Sequence, residues 1–206
     1  MAICYVFGAG DCAESSLLLG AGDLVIAADG GLNHLNKLGI RPDIIIGDFD
    51  SFDSVPEGEN IIRLKPEKDV TDMYAAVEVG VEKGFDEFRL FGATGGRFDH
   101  TLANVQLVAM LAEKGCKASL INGNYVITAL HNGSIKFTED FSGYISVFAH
   151  SSVCSGVSIK GLKYSLDSAE LKNSFALGVS NEFIGKESEI SVENGTLIIT
   201  YNSEGR

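Results

Sequence analysis

Two aspartates stand two residues apart in Gly47-Asp48-Phe49-Asp50-Ser51, directly after the apolar run 44–46. In extended backbone residues i and i+2 point to the same side, so Asp48 and Asp50 can converge on one cation while Phe49 turns inward. Carboxylates held that close repel unless neutralised, and a hard cation such as magnesium prefers oxygen ligands. The same pair would also furnish an ordinary Asp-rich turn. A second cluster, Lys68-Asp69-Val70-Thr71-Asp72, opens a helical pattern, where free backbone N–H groups favour an anion. Asp69 is expected there as the N-cap, with Asp72 three residues on in a near capping box. The third cluster is Gly92-Ala93-Thr94-Gly95-Gly96-Arg97-Phe98-Asp99-His100. Its glycines let backbone amides approach phosphate oxygens, and Arg97 offers a planar, permanently charged fork. It lacks the G-K-[ST] ending of a Walker A loop. With Asp29-Gly30-Gly31, four strand ends bring acidic groups and phosphate-binding loops together, which is the equipment of phosphoryl transfer.

The charge balance fits such a site. The 206-residue chain carries 28 Asp and Glu against 16 Lys and Arg, a formal net charge of -12. Nucleic acids and anionic membranes are held by Lys and Arg, so this sign argues against both as partners. Eleven of the 13 Asp lie within residues 1–99, whereas the 15 Glu are spread along the chain. A purely solubilising surface has no reason to concentrate the shorter carboxylate in one half. Cys4, Cys12, Cys116 and Cys154 have no metal-ligand spacing and read as small buried apolar residues. No apolar run approaches the roughly 20 residues that span a bilayer. The opening run 3–7 is too short for a signal segment, and a cytoplasmic location is expected. The sequons at Asn132 and Asn194 then read as chance matches in turns.

Two kinds of element must position these residues. Up to residue 122, apolar runs at 3–7, 24–28, 44–46, 61–64, 88–91 and 119–121 read as buried strands, and 71–83 and 102–114 as helices. That alternation predicts an α/β domain, 1–122, with a mostly parallel sheet flanked by helices. From residue 123 the pattern becomes short β runs at 125–130, 134–138, 144–149, 157–159, 174–177, 189–193 and 197–201. Asn194-Gly195 between the last two signals a hairpin. An all-β sandwich domain, 123–206, is expected.

Gly8-Ala9-Gly10-Asp11-Cys12-Ala13, with Asp29 about 20 residues later, also fits a dinucleotide fingerprint. The residues after it do not sustain a helix, and a plain tight turn is the simpler reading. Two other functions use much of the same equipment. One is a metal-dependent D-x-D nucleotidyl or glycosyl transferase; the other is a non-catalytic nucleotide-binding sensor. His100 is read as structural or phosphate-orienting, and His34, His131 and His150 as surface or packing residues.

The motifs D-G-G at 29–31, G-D-x-D-S at 47–51, K-D-x-T-D at 68–72 and G-x-x-G-x-R-x-D-H-x-x-x-N at 92–104 resemble those of the thiamine pyrophosphokinase family in content and order. Gly161-Leu162-Lys163-Tyr164 and Ser180-Asn181-Glu182 extend the likeness, and Ser165 departs from it where many members carry proline. The resemblance implies transfer of a diphosphoryl group from ATP to the hydroxyl of thiamine, giving thiamine diphosphate and AMP. It implies magnesium as cofactor, held by Asp48, Asp50 and Asp72, with Asp29 orienting the substrate hydroxyl or supporting the metal shell. Lys68, Thr71, Thr94, Arg97 and Asp99 would line the nucleotide, with Ser51 and Asn104 beside them. Ser180 and Asn181 would hold the thiamine, reached from the other subunit of a homodimer with its sites at the interface.

Overall fold

Short apolar runs that end in glycine or a polar residue build the first sheet. The computed structural model describes residues 2–13, 17–48, 60–65, 69–123 and 125–202. The chain divides into two units, Met1–Asn104 with Leu120–Asn122, and Val105–Ser119 with Gly123–Arg206. In the first, β1 (Cys4–Phe7), β2 (Leu24–Ala28), β3 (Ile44–Gly47), β4 (Ile61–Arg63) and β5 (Glu87–Phe91) run in the order β5-β1-β2-β3-β4. Each of these neighbours pairs in parallel, with Phe7 opposite both Ala27 and Phe91. Parallel register puts the carboxyl ends of all five strands at one edge.

Alternate residues of β1 meet different helices. Tyr5 and Phe7 cluster with Leu35 of α1 (Gly31–Leu38), and Phe7 stacks on Phe91 with ring centroids 4.8 Å apart. Cys4 and Phe88 face Gly80 of α2 (Asp72–Glu82) so closely that a Cβ there would lie 2.8 Å from the Cys4 sulfur. Leu35 is fully buried, and such a side chain contributes roughly 1.5–3 kcal/mol. Burial pushes the Cys4 thiol up to about 12. The helix α1 was not expected from the sequence. It is only 8 residues long, starts on Gly30 without a side-chain cap, and has only Leu32, Leu35 and Leu38 as its apolar stripe. It ends at Gly39 in the left-handed conformation, φ 68°.

The helix α3 (Phe98–Glu113) and β6 (Lys117–Asn122) precede the strand-rich part. There β7 (Tyr125–Phe137) and β12 (Ser188–Asn202) form a long antiparallel pair. The first part of β12 also pairs with β9 (Val153–Lys160), and its last part with β8 (Tyr144–Ala149). Outside these lie β10 (Leu166–Lys172) on β9 and β11 (Gly178–Glu182) on β8. An apolar core that includes Val126, Ile145, Val147, Val157, Ile190 and Ile199 fills the unit. Phe137 meets Phe141, Phe183 and Tyr201 edge-on at 5.2–5.3 Å.

Three sequence expectations fail here. Asn194-Gly195 is not a hairpin turn: β12 runs through it, with the register against β7 shifting between Val192 and Thr196. Gly195 supplies φ +113° for a bulge at which the strand exchanges β9 for β8 as its second neighbour. The two sequons therefore sit in facing strands, not in turns. Residues 174–177 are not a strand either. Phe175 and Leu177 are exposed between β10 and β11, and the mostly exposed, polar β10 gives no alternation strong enough to read.

No helix among the described residues is long and apolar enough to cross a membrane.

Candidate active site

The carboxyl ends of β1 and β5 continue past the sheet as two interlocked loops. Gly8 N donates to Phe91 O at 2.8 Å, Gly10 N to Gly92 O at 2.7 Å and Asp11 N to Thr94 O at 2.7 Å. Glycine is required for so close an approach. A Cβ on Gly8 would lie 2.8 Å from the Gly92 carbonyl oxygen, and one on Gly10 would lie 2.7 Å from it. No helix follows Gly8–Asp11 among the described residues, so the dinucleotide reading has no structural support.

A cavity of about 330 Å³ opens at these loops. Its walls are Gly8 to Gly10, Asp29, the start of α2 at Thr71 and Asp72, and Gly95 to Arg97 with His100 and Asn104 of α3. Two helix N-termini thus border one space, and the positive ends of their dipoles make it attractive to an anion. Thr71 is the N-cap of α2, its hydroxyl accepting from Tyr74 N at 3.2 Å. The expected cap at Asp69 is corrected by this geometry: Thr71 holds the extended φ/ψ of -75°/159° that a cap needs, and Asp72 lies inside the first turn.

The loop after β5 is pinned from below. Asn104 Nδ2 donates to Ala93 O at 2.6 Å, and Asn122 Nδ2 donates to the Thr94 hydroxyl at 2.9 Å. Thr94 is buried, and among the described residues it is not part of the cavity wall. Its visible task is to hold the loop. Arg97 forms a fork on Asp99, Nη2 to Oδ2 at 2.6 Å and Nε to Oδ1 at 3.2 Å. That bond keeps the Asp99 carboxyl below its ordinary range and raises the guanidinium, with both side chains exposed.

Asp29 follows β2 in the left-handed region, φ 46°, a conformation that costs a non-glycine residue strain. Its N–H donates to Ile46 O at 2.8 Å, and Gly47 packs against its Cα. Asp48 follows the neighbouring β3, one strand spacing away, and is half-buried. The oxygen donors Asp29 and Asp72 in the cavity, with Asp48 at the adjoining strand end, suit a hard divalent cation. Among the described residues no three His, Cys, Asp or Glu side chains are gathered closely enough to form a complete metal site. Asp50, Ser51 and Lys68 lie outside the described residues.

The two expected thiamine contacts stand on β11. Ser180 is exposed with φ +61°, its N–H donating to Ser146 Oγ at 3.1 Å. Asn181 is buried and its amide is engaged: Nδ2 donates to Tyr164 O at 2.7 Å, while Oδ1 accepts from Tyr164 N and Glu182 N, each at 2.9 Å. Beside it Lys163 bonds both oxygens of Glu182 at 2.9 Å.

Sequence reasoning passed over several residues that shape the cavity. Gly8 and Gly10 looked like a cofactor fingerprint, Met73 like core, and His34 and Asn122 gave no signal. Contacts of a side chain with a carbonyl or hydroxyl oxygen 24 or 28 residues away leave no motif.

The order of these parts is that of a known enzyme family. The model of the thiamin pyrophosphokinase catalytic domain matches residues 16–120, and that of the thiamin pyrophosphokinase vitamin B1 binding domain matches residues 133–197. The thiamine pyrophosphokinase of Bacillus subtilis (strain 168) is 32% identical over 189 residues, covering 88% of this chain and 88% of that protein. The crystal structure of thiamine pyrophosphokinase from Bacillus subtilis superimposes with a TM-score of 0.83 at 27% identity, covering 98% of this chain and 99% of that one. That of Geobacillus thermodenitrificans gives 0.81 at 28% identity, with 98% of each chain covered. With both domains matched in order along one chain, this protein belongs to the thiamine pyrophosphokinase family.

Proposed function

We propose that the chain transfers the diphosphoryl group of ATP to the hydroxyl of thiamine, releasing AMP. One observation carries the reading: the cavity at the strand ends sets Asp29 and Asp72 against two glycine loops, Arg97 and two helix N-termini. That is a place for polyphosphate and acid-held cations, in a chain that also contains the vitamin B1 binding domain. The D-x-D transferase and the nucleotide sensor account for neither that second domain nor the paired loops.

In this reading the ATP phosphates lie along Gly8–Gly10 and Gly95–Arg97, with Thr71, Lys68, Ser51 and Asn104 bordering them. The thiamine oxygen forms a bond to the β-phosphorus while the bond from that phosphorus to the α,β-bridging oxygen breaks. AMP leaves with the electron pair, and Arg97 and Lys68 stabilise the charge that develops on it. Asp29 takes the proton of the attacking hydroxyl. Magnesium, held by Asp48, Asp50 and Asp72, would neutralise phosphate charge and set the reacting groups in line. Asp99 reaches the nucleotide side of the site through Arg97. Ser180 and Asn181 serve the thiamine, Ser180 by its hydroxyl and Asn181 by fixing the segment on which Ser180 stands.

The finer architecture belongs to the same reading. Residues 1–122 are taken as an α/β catalytic domain, whose parallel pairs form a sheet between helices. Residues 123–206 are taken as a sandwich that binds thiamine and joins two chains in a cytoplasmic homodimer. Incubation with thiamine, ATP and magnesium tests the activity: AMP should appear in step with thiamine diphosphate. ADP as the product, or no thiamine-dependent turnover, would overturn it. Sedimentation should give twice the chain mass.

A further inference from the structure

Ser180 on β11 shares a local geometry with Ser168 on β10, which has φ +47° at a register shift and its N–H on Ser158 Oγ at 3.0 Å, but of the two only Ser180 is read as a thiamine contact. It is a non-glycine residue held in the left-handed region, φ +61°, in the middle of a strand. The strand β11 pairs antiparallel with β8, but the register breaks around it: Gly178 faces Val147 and Asn181 faces Ile145, so three steps on β11 match two on β8. The extra residue makes a bulge, and a bulge re-aims a side chain. Opposite it on β8 stands Ser146, whose hydroxyl oxygen takes the Ser180 N–H at 3.1 Å. A side chain supplies the acceptor at a point where the strand register is interrupted. On the C-terminal side Asn181 is locked to Tyr164 and Glu182 by three hydrogen bonds, so the segment cannot relax in that direction. Strain of this kind persists only where the surroundings enforce it, and it is common where a side chain must be presented to a ligand.

We propose that Ser146 is a positioning residue for thiamine binding, holding Ser180 in its left-handed conformation so that the exposed hydroxyl meets the substrate. The inference rests on the reading of Ser180 as a thiamine contact. Ser146 itself does not touch the reacting atoms.

Steady-state kinetics of the full-length enzyme test it, with thiamine and ATP varied separately. Ser146→Ala is expected to raise KM for thiamine about 5- to 10-fold, the scale of losing one hydrogen bond, while kcat and KM for ATP stay within about twofold. Ser146→Thr keeps the acceptor oxygen and should restore KM. Ser180→Ala should raise KM for thiamine as well, and the double variant should be no worse than the weaker single one. If Ser180→Ala moves KM for thiamine while Ser146→Ala leaves it unchanged, or alters only the melting temperature, the proposal is overturned and Ser180 stands as a contact. A Ser180→Ala enzyme with unchanged KM for thiamine overturns the contact and the proposal together.

Discussion

His34 on α1 and Gly10 in the loop after β1 are joined by a 2.8 Å hydrogen bond between the imidazole Nε2 and the carbonyl oxygen. A carbonyl can only accept, so Nε2 carries the proton. The Gly10 amide meanwhile donates to Gly92 O, and Gly8 and Gly10 line the cavity. The peptide that faces the cavity is thereby fixed by a helix on one side and a second loop on the other.

His34→Leu removes the donor and should lower kcat/KM for ATP about 5- to 10-fold, the worth of one hydrogen bond near 1 kcal/mol. His34→Gln retains an N–H and should recover most of the loss. Circular dichroism of both variants should match the parent. Equal activity in all three proteins would show that the loop holds its place without His34.

Gly10→Ala addresses the other side of the same loop. Its Cβ would lie 2.7 Å from the Gly92 carbonyl oxygen and closer still to that of Thr94, both backbone atoms that can yield only by parting the loops. The expected cost is about 1–3 kcal/mol of stability, with more than ~10-fold loss of turnover as the donors leave their positions. Gly39→Ala is the control. It sits at positive φ, unlike Gly10, but has open space around it, and should change the melting temperature without changing KM for ATP. Thermal denaturation and steady-state kinetics on both proteins decide.

Much of this site was legible because its chemistry sits at strand ends. Asp29, Asp48, Asp72 and Arg97 each follow an apolar run or open a helix, and such junctions can be read from residue type alone. The architecture was legible for the same reason wherever burial is continuous, as in Leu24–Ala28, four of whose five residues are buried. The rest depends on partners remote in sequence. The short α1 has too few apolar positions to announce itself, and Asn194-Gly195 carries the composition of a turn. Only the partners at Asn132, Ser155 and Cys154 turn it into a bulge inside a strand. His34 and Asn122 act on backbone or hydroxyl groups that no spacing rule connects to them.

The Arg97–Asp99 fork makes a pH prediction. The bond to Arg97 depresses the Asp99 carboxyl below its ordinary value of 3.8. A depressed acid contributes its stabilisation above the ordinary carboxylate range and loses it only as pH falls through the lowered value. Asp99 should therefore stay ionised through mildly acid conditions and make no acid limb in the pH–rate profile above about pH 4. Asp99→Asn should raise KM for ATP by freeing the orientation of Arg97, yet leave the position of the acid limb unchanged. A carboxyl carbon resonance of Asp99 that titrates near pH 5 or above would contradict this.

The bulge of β12 is held by a chain of hydrogen bonds with one direction. Gly195 N donates to Asn132 Oδ1 at 2.8 Å, and Asn132 Nδ2, also a donor, stands 2.9 Å from His131 Nε2. His131 Nε2 must then accept, which leaves the ring proton on Nδ1 facing Thr196 Oγ1 at 2.9 Å. Thr196, fully buried, donates its hydroxyl hydrogen bond to Glu113 Oε1 at 2.8 Å. Each member donates onward, so the arrangement specifies neutral His131 in the Nδ1–H tautomer. Nitrogen-15 chemical shifts should report that tautomer at neutral pH, and an Nε2–H signal would break the chain at Asn132. Thr196→Val removes the link between His131 and Glu113 and leaves both without it. It should destabilise the protein by about 1–3 kcal/mol in denaturant melts, and Thr196→Ser, which keeps the hydroxyl, should recover most of that.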